Sequence, residues 1–339
     1  MKKLSVAIIG CGNIFPMHAE PISNIEGINL VAVCDNKEER AKLASEKYNC
    51  KYYIDYVEML DSEELDVVHI CTPHYLHPIM EKEIVNRNIH VMTEKPMSIN
   101  YNDAVMMIDE AKKNDVTLGV IFQNRYNPGS VLIKEALDQG KLGRVLSARL
   151  YLAWSRSDEY YSKSDWKGTW DKEGGGVLID QAIHTIDLAN WLINKDIDYI
   201  DANISNRAHE IIEVEDAAEG VVRYKDGTTL AFHTINYHAY DAPVEIELFC
   251  EHGVAHMIAS TATIKYNSGR EEAVDPKKSE KQRIGKSYWG VSHIIQIEQF
   301  YKALMCGKKP EITGEEALIT QRIICGMYES GKEHKKVKF

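Results

Sequence analysis

Lys95, Asp180 and His184 are the residues whose types and settings could do chemistry in this chain. Lys95 follows a short apolar run, residues 89–92, and is pinned by Pro96. A lysine at the end of a buried strand in an alternating α/β segment faces the ligand crevice, which lies at the carboxyl ends of such strands. Its ammonium there would stabilise the alkoxide that forms as hydride leaves an alcohol carbon. The second candidate is segment 173–187, where Gly174, Gly175 and Gly176 allow backbone to approach a ligand closely. A helix expected over 177–192 sets Asp180 and His184 at i and i+4, on one face. An imidazole exchanges protons near neutral pH, so His184 suits proton exchange, and Asp180 can orient it or hold a substrate hydroxyl. The competing readings are a structural Asp-His hydrogen bond and half of a metal site. No third ligand is evident, so no metal is expected.

A departing hydride needs an acceptor, and the N-terminus offers a place for one. Gly10-Cys11-Gly12-Asn13-Ile14-Phe15 follows the first apolar run and leads into a helix. Gly10 permits a tight turn, and Gly12 lets backbone approach a pyrophosphate. Asn13 and Ile14 open the helix, whose N–H groups favour phosphate. Phe15 stands where a third glycine would ease helix-to-strand packing. Asp35 closes the second apolar run at about the 20-residue spacing of an acid that binds both ribose hydroxyls. It would repel a 2′-phosphate, so NAD is expected over NADP, although Lys37 keeps NADP open and helix capping is the plainer role for Asp35. In Cys71-Thr72-Pro73-His74-Tyr75-Leu76-His77-Pro78 the two prolines are expected to hold the loop away from helical geometry. Thr72, Pro73 and His77 would then lie along the nicotinamide half, and Glu94 and Lys95 complete the cofactor-facing set.

These residues need a particular scaffold. Apolar runs at 5–9, 29–34, 67–71, 89–92 and 117–121 alternate with helix-like stretches rich in Glu, Lys and Ala, a pattern that predicts βαβ units on a parallel sheet. Beyond Asn124, residues 145–154, 199–205, 217–224, 229–237, 244–250 and 254–258 read as longer strands with turn signals such as Asp226-Gly227 and His252-Gly253. Helices at 177–192 and 292–305 interrupt them. The expected class is α/β: an N-terminal Rossmann sheet over residues 1–123, then a C-terminal α+β domain over 124–339 on a mostly antiparallel open sheet. The second domain would bind substrate and mediate oligomerisation. One sheet face has no helix in sequence to cover it, which predicts a homodimer or homotetramer. Segment 267–287, rich in Lys, Glu and Ser, is the candidate mobile loop.

Composition narrows the class. The net charge of −11 excludes the basic face that nucleic-acid binding needs. The basic run at 332–338 reads as a solvated tail. The seven cysteines are scattered singly, with no C-x-x-C, as expected in a reducing cytoplasm. The apolar run at 4–9 is too short for an export signal, and no run is long enough to cross a bilayer.

Trp154, Arg156, Tyr160, Tyr161, Trp166, Lys167 and Trp170 precede the glycine-rich turn. Aromatic faces interleaved with polar groups suit a sugar, and Arg156, Tyr160, Trp166 and His293 are the substrate-side candidates; core or subunit packing is the alternative.

The chain resembles the glucose-fructose oxidoreductase and inositol dehydrogenase (Gfo/Idh/MocA) family. The resemblance rests on GCGNI at the N-terminus, Asp35, CTPHYLHP, the EKP at Glu94 to Pro96, GGGVLIDQAIH and QIEQFYKAL with GKKPEITGEEAL, and spans essentially the whole chain. It implies that Lys95, Asp180 and His184 are the catalytic triplet, and that hydride passes between a pyranose-like or cyclitol carbon and nicotinamide. Phe15 for the third glycine and Gln181-Ala182 before His184 depart from the family pattern. The expected function is an NAD(P)-dependent dehydrogenase acting on a secondary hydroxyl of a sugar, glycoside or sugar derivative. The alternatives are an enzyme that retains and recycles NAD for epimerisation or elimination, an inositol-type cyclitol dehydrogenase, and a non-catalytic NAD-binding regulator.

Overall fold

A computed structural model describes residues 3–274 and 292–339. Its contacts divide the chain into two units, Met1–Phe122 with His293–Gln321 and Gln123–Ser292 with Arg322–Phe339. The division falls beside the expected boundary at 123, but His293–Gln321, expected in the second domain, belongs to the first. Residues 275–287 of the expected mobile loop lie outside the described residues, and the rest of that segment includes a strand, Glu271–Ala273.

In the first unit β1 (Leu4–Ile9), β2 (Ile28–Cys34), β3 (Lys51–Tyr53), β4 (Val67–Ile70), β5 (His90–Thr93) and β6 (Leu118–Val120) form a parallel sheet of order β3-β2-β1-β4-β5-β6. The order reverses direction on either side of β1, which is where a doubly wound sheet opens its crevice. Helices α1 (Phe15–Asn24), α2 (Glu38–Tyr48), α3 (Tyr56–Ser62), α4 (His77–Val85) and α5 (Tyr101–Lys113) make the crossovers. Asp55 caps α3 and Asn100 caps α5 through side-chain oxygens that accept backbone N–H groups, as short polar N-caps do.

The helix His293–Met305 joins this unit through two sets of contacts. Ile297, Phe300 and Tyr301 fall on one face and pack with Val6, Ile8, Val67 and Met92, each contributing about 1.5–3 kcal/mol on burial. Gly119 in β6 admits the Phe300 ring, since a Cβ there would stand 2.8 Å from it. Gln296 then satisfies the exposed edge of β6: its amide donates to Val120 O at 2.7 Å and accepts from Phe122 N–H at 2.9 Å.

Glu81, on α4, is a titratable group buried without a hydrogen bond to either carboxyl oxygen. Burial, aided by the charge of Glu110, pushes it up to about 8. Its protonated form is therefore favoured in the folded state. This contribution is full below the ordinary glutamate value and is lost as pH rises toward about 8. Glu81→Gln should raise the melting temperature more at alkaline than at acidic pH, measured by scanning calorimetry. An equal gain at both would contradict the assignment.

The second unit holds a nine-stranded sheet of order β14-β13-β12-β11-β7-β10-β9-β8-β15. Its strands are β7 (Val145–Ala153), β8 (Ile197–Ser205), β9 (Ala217–Tyr224), β10 (Thr229–Ile235), β11 (Glu245–Cys250), β12 (Gly253–Ile258), β13 (Thr261–Tyr266), β14 (Glu271–Ala273) and β15 (Val337–Lys338). Every pair is antiparallel except β7 with β10. Along β7 and β11, Ala148, Leu150, Leu152, Ile246 and Leu248 face the core, while Tyr151 and Phe249 face outward. The basic C-terminal run is not simply a solvated tail. Val337 and Lys338 pair with Ile200 and Tyr199, because β8 otherwise ends the sheet with an open edge.

Candidate active site

The Gly-rich turn and its acid meet at the ends of β1 and β2. Gly10 has φ +98°, and a Cβ there would stand 2.4 Å from Cys71 O, so only glycine lets β1 turn against the start of the next crossover. A Cβ on Gly12 would meet nothing within 4 Å, which leaves its backbone approachable. Asn13 and Ile14 follow, with Ile14 at the N-terminal boundary of α1. Phe15 fills the third-glycine position as a core residue, edge-on to Tyr48 at 5.6 Å. Asp35 Oδ2 accepts Cys11 N–H and Oδ1 accepts Lys37 N–H, each at 2.8 Å. A carboxylate offers about four acceptor positions, so each oxygen can accept a further hydrogen bond.

The proline loop is placed differently from its expectation. His74–Leu76 forms a short helical turn, and α4 begins at His77 with Pro78 in its first turn. Proline is tolerated there because its missing N–H would have had no partner in the helix. Thr72 and Pro73 remain the extended part at the end of β4. His77 is fully buried. Its two ring nitrogens lie 2.8 Å from Pro96 O and 2.9 Å from Thr72 O, so it ties this loop to the segment that carries Lys95. Burial holds its pKa below the usual histidine value, and the nearby Lys95 charge lowers it further.

Glu94 and Lys95 follow β5. Glu94 is buried, its Oε1 lies 2.8 Å from His18 Nε2 and 3.7 Å from His293 Nε2, and its Oε2 accepts Lys95 N–H at 3.3 Å. Burial works against its ionisation, but the two imidazoles overrule burial and hold the carboxyl well below its usual range. His293, expected on the substrate side, lies within this buried cluster of the first unit.

In the second unit the sequence 174–176 is shaped by close approach. A Cβ on Gly175 would stand 1.9 Å from Tyr328 Oη, and one on Gly176 would stand 1.9 Å from Glu215 O. Glu215 accepts Gly176 N–H at 2.9 Å and Leu178 N–H at 3.0 Å, and Tyr328 donates to it at 2.9 Å. The carboxyl thus meets the first N–H groups of the helix that follows, and burial pushes it up to about 7. That helix is not α-helical throughout as expected. Val177–Ala182 is a wider π turn, and α-helix resumes at Ile183–Ile193. Asp180 therefore sits in the π turn, three residues before Ile183, where the α-helix carrying His184 begins; such a widening is often found at functional sites.

Asp180 Oδ2 accepts from Lys167 Nζ at 2.7 Å, from Gln181 Nε2 at 2.7 Å and from Tyr160 Oη at 3.0 Å. Lys167 also reaches Glu173 at 3.3 Å, and its ammonium lies 4.3 Å from the Trp166 ring centroid and 5.0 Å from that of Tyr160. Burial opposes the Lys167 charge, yet Asp180, Tyr160 and Glu173 hold its pKa well above the usual lysine value. Burial pushes Glu173 up to about 8 against the pull of Lys167. Arg156 pairs with Asp241 at 2.9 Å and lies 5.3 Å from the Tyr160 ring. Among the substrate-side candidates of this unit, Tyr160 is linked to Asp180 directly, Trp166 through Lys167, and Arg156 through the Tyr160 ring. Lys167 and Glu173 had no assigned role in sequence, and Glu215 and Tyr328 carry no short-range signal at all. Among the described residues no cluster of His, Cys, Asp and Glu has the arrangement of a metal site, and no helix is long and apolar enough to cross a membrane.

A doubly wound sheet with a Gly-rich turn after its first strand and an acid at the end of its second is the arrangement of a dinucleotide-binding domain. Residues 4–122 match the oxidoreductase family with an NAD-binding Rossmann fold, and residues 131–256 match the GFO/IDH/MocA C-terminal domain. The chain belongs to the GFO/IDH/MocA oxidoreductases. It is 26% identical to myo-inositol 2-dehydrogenase of Thermotoga maritima, with 99% of this chain and 98% of that protein covered. It is 34% identical to D-glucoside 3-dehydrogenase of Escherichia coli, where the match covers 56% of this chain and 54% of the relative. The structure of the WlbA dehydrogenase of Chromobacterium violaceum, in complex with NADH and UDP-GlcNAcA, superposes with a TM-score of 0.88 at 27% identity, covering 100% of this chain and 96% of that one.

Asp35 makes the cofactor assignment testable. Hydrogen bonds to a charged group contribute about 1.5–3 kcal/mol, so Asp35→Ser should weaken NAD binding by about tenfold to a hundredfold. It should also narrow the preference over NADP. Fluorescence titration with both nucleotides reads this, and unchanged NAD affinity would remove Asp35 from the site.

Proposed function

We propose that this oxidoreductase transfers hydride between a secondary hydroxyl carbon of a sugar, glycoside or sugar derivative and NAD. The observation that carries the reading is Asp180, a carboxylate in a π turn onto which an ammonium, a phenol and an amide converge beside a wall of aromatic rings. The relatives named as inositol and glucoside dehydrogenases support the substrate class.

NAD, when bound, supplies the acceptor for the hydride. Gly10, Gly12, Asn13 and Ile14 would hold its pyrophosphate, Asp35 its ribose, and Thr72, Pro73, Glu94 and Lys95 its nicotinamide half, with His77 fixing the loop. In oxidation, Lys95 stabilises the oxygen that loses its proton, and His184 accepts that proton. Asp180 orients the hydroxyl or the imidazole, and Arg156, Tyr160 and Trp166 present rings and donors to the substrate. His293 serves the Lys95 neighbourhood.

We further propose that the protein is cytoplasmic, in keeping with its scattered cysteines, and assembles as a dimer or tetramer through the outer face of the nine-stranded sheet. Tyr151 and Phe249, each 37% exposed, lie on that face. Light scattering of the native protein and of Tyr151→Glu tests the assembly, which a monomeric native protein would overturn.

The experiment that tests the function is absorbance of reduced cofactor against a panel of sugars, glycosides and cyclitols. Turnover of at least one sugar supports the reading. Product formed with no net change in cofactor would instead indicate a retained, recycled NAD, and turnover of cyclitols alone would move the substrate class.

A further inference from the structure

The first unit buries a line of polar side chains that hydride transfer does not by itself require. His18 on α1, His69 on β4 and Tyr301 on the helix His293–Met305 are each 0% exposed. They connect in sequence: Tyr301 Oη lies 2.7 Å from His69 Nε2, His69 Nδ1 lies 2.7 Å from His18 Nδ1, and His18 Nε2 lies 2.8 Å from Glu94 Oε1.

Each of these contacts needs one hydrogen, and that requirement sets the arrangement. Glu94 as a carboxylate has no proton to give, so His18 must donate from Nε2. A neutral His18 then has a lone pair on Nδ1, so His69 must donate from its own Nδ1. His69 Nε2 is left as an acceptor, so Tyr301 must donate its hydroxyl hydrogen. The chain therefore runs one way, from Tyr301 to Glu94. One additional proton, on Glu94 or on His18, reverses His69 to its Nε2–H form and turns Tyr301 into an acceptor.

The carboxylate at the end of this chain is also the one that holds Lys95. Glu94 Oε2 accepts the Lys95 amide, and Glu94 Oε1 lies beside His293, whose Nδ1 is buried without a hydrogen-bond partner among the described residues. Burial lowers the pKa of His293, against the pull of Glu94. A buried anion left without its partners is strongly disfavoured, so the donors around Glu94 are what keep its charge in place.

We propose that Tyr301, His69 and His18 form a one-way hydrogen-bond chain ending on ionised Glu94, and that Glu94 is thereby the positioning residue for Lys95. The inference rests on the reading of Lys95 as the group that stabilises the alkoxide. The chain supplies Glu94 with a donor that cannot turn into an acceptor while His69 and Tyr301 hold their hydrogens. The strand end bearing Lys95 is in this way fixed by a network reaching three other elements.

A neutron diffraction map of the wild-type protein at neutral pH reads the hydrogens directly. Deuterium on His18 Nε2, His69 Nδ1 and Tyr301 Oη, with none on Glu94, is the expected result. Deuterium on Glu94 or on His69 Nε2 overturns the proposal. In parallel, Glu94→Gln keeps an acceptor for His18 and removes the charge. It should lower kcat by about tenfold to a hundredfold, the cost of displacing a reacting group slightly, with a smaller loss of NAD affinity. The primary deuterium isotope effect on kcat should rise, which a loss of folded protein alone would not produce. Unchanged kcat and isotope effect overturn the proposal. If Glu94→Gln does not fold, the neutron map decides. Lys95→Met separates the two levels: full activity there removes the reading of Lys95, whereas an impaired Lys95→Met with a fully active Glu94→Gln removes only the positioning chain.

Discussion

Lys95→Met is expected to lower kcat by about 10³-fold with a much smaller loss of NAD affinity. An alcohol gives up hydride readily only as it approaches the alkoxide, and a fixed ammonium meets that developing charge without reorganising. Removal of one preorganised oxyanion donor typically costs 10²–10³ in kcat, and the full charge of Lys95 places it at the upper end of that range. Methionine preserves length and apolar stem. The backbone that the side chain hangs from is held independently, by the Lys95 amide on Glu94 and by His77 bridging Thr72 O and Pro96 O. Binding should thus survive the loss of chemistry. Stopped-flow single-turnover rates with the best substrate, beside equilibrium NAD titration, separate the two. A kcat within a few-fold of wild type would remove Lys95 from the reaction.

The second large effect is expected at His184. His184→Asn should lower kcat/KM by about 10²–10⁴, the contribution of a positioned general base. A base accepts a proton only when it is unprotonated, so wild-type kcat/KM for oxidation should fall as pH drops and the imidazole takes up a proton. Asparagine does not titrate, and the acid limb should vanish in the variant along with most of the rate. A variant that keeps the same limb at lower rate would assign the base elsewhere. Asp180→Asn is the informative companion, because its three donors, Lys167, Gln181 and Tyr160, remain in place while the charge they surround is gone.

Much of the first unit was legible because its signals are local. Gly10, Gly12 and Asp35 are separated by one strand, one helix and one strand, and short-range periodicity places all three at one end of the sheet. Phe15 was read correctly as a departure, and its consequence is that the ring enters the core. The strands of the second unit were legible for the same reason, since alternation and turn residues act over a few positions.

Other features were illegible because the partner lies far away in sequence. The π turn at Val177–Ala182 forms where Glu215 meets the N–H groups of Gly176 and Leu178 and Tyr328 reaches Ile179 N–H at 3.2 Å, and nothing within the turn announces those residues. The segment His293–Gln321 joins the first unit through Gln296 and Phe300, which fit an edge strand and a glycine more than 170 residues earlier. Strand β15 reads as a tail in sequence because its run is short and basic, and only the open edge of β8 makes it a strand.

Residue types and their spacing were enough to settle the reaction chemistry's candidates: a lysine at a strand end, a carboxylate and imidazole four residues apart, glycines and an acid for a dinucleotide. Those choices follow from local geometry, which the chain encodes within a few residues. The charge state and aim of each group were decided by tertiary structure alone. Asp180 gains its ammonium from Lys167, and Glu94 gains its imidazoles from His18 and His293, because burial makes an ionised side chain depend on whichever donors folding brings within hydrogen-bond reach.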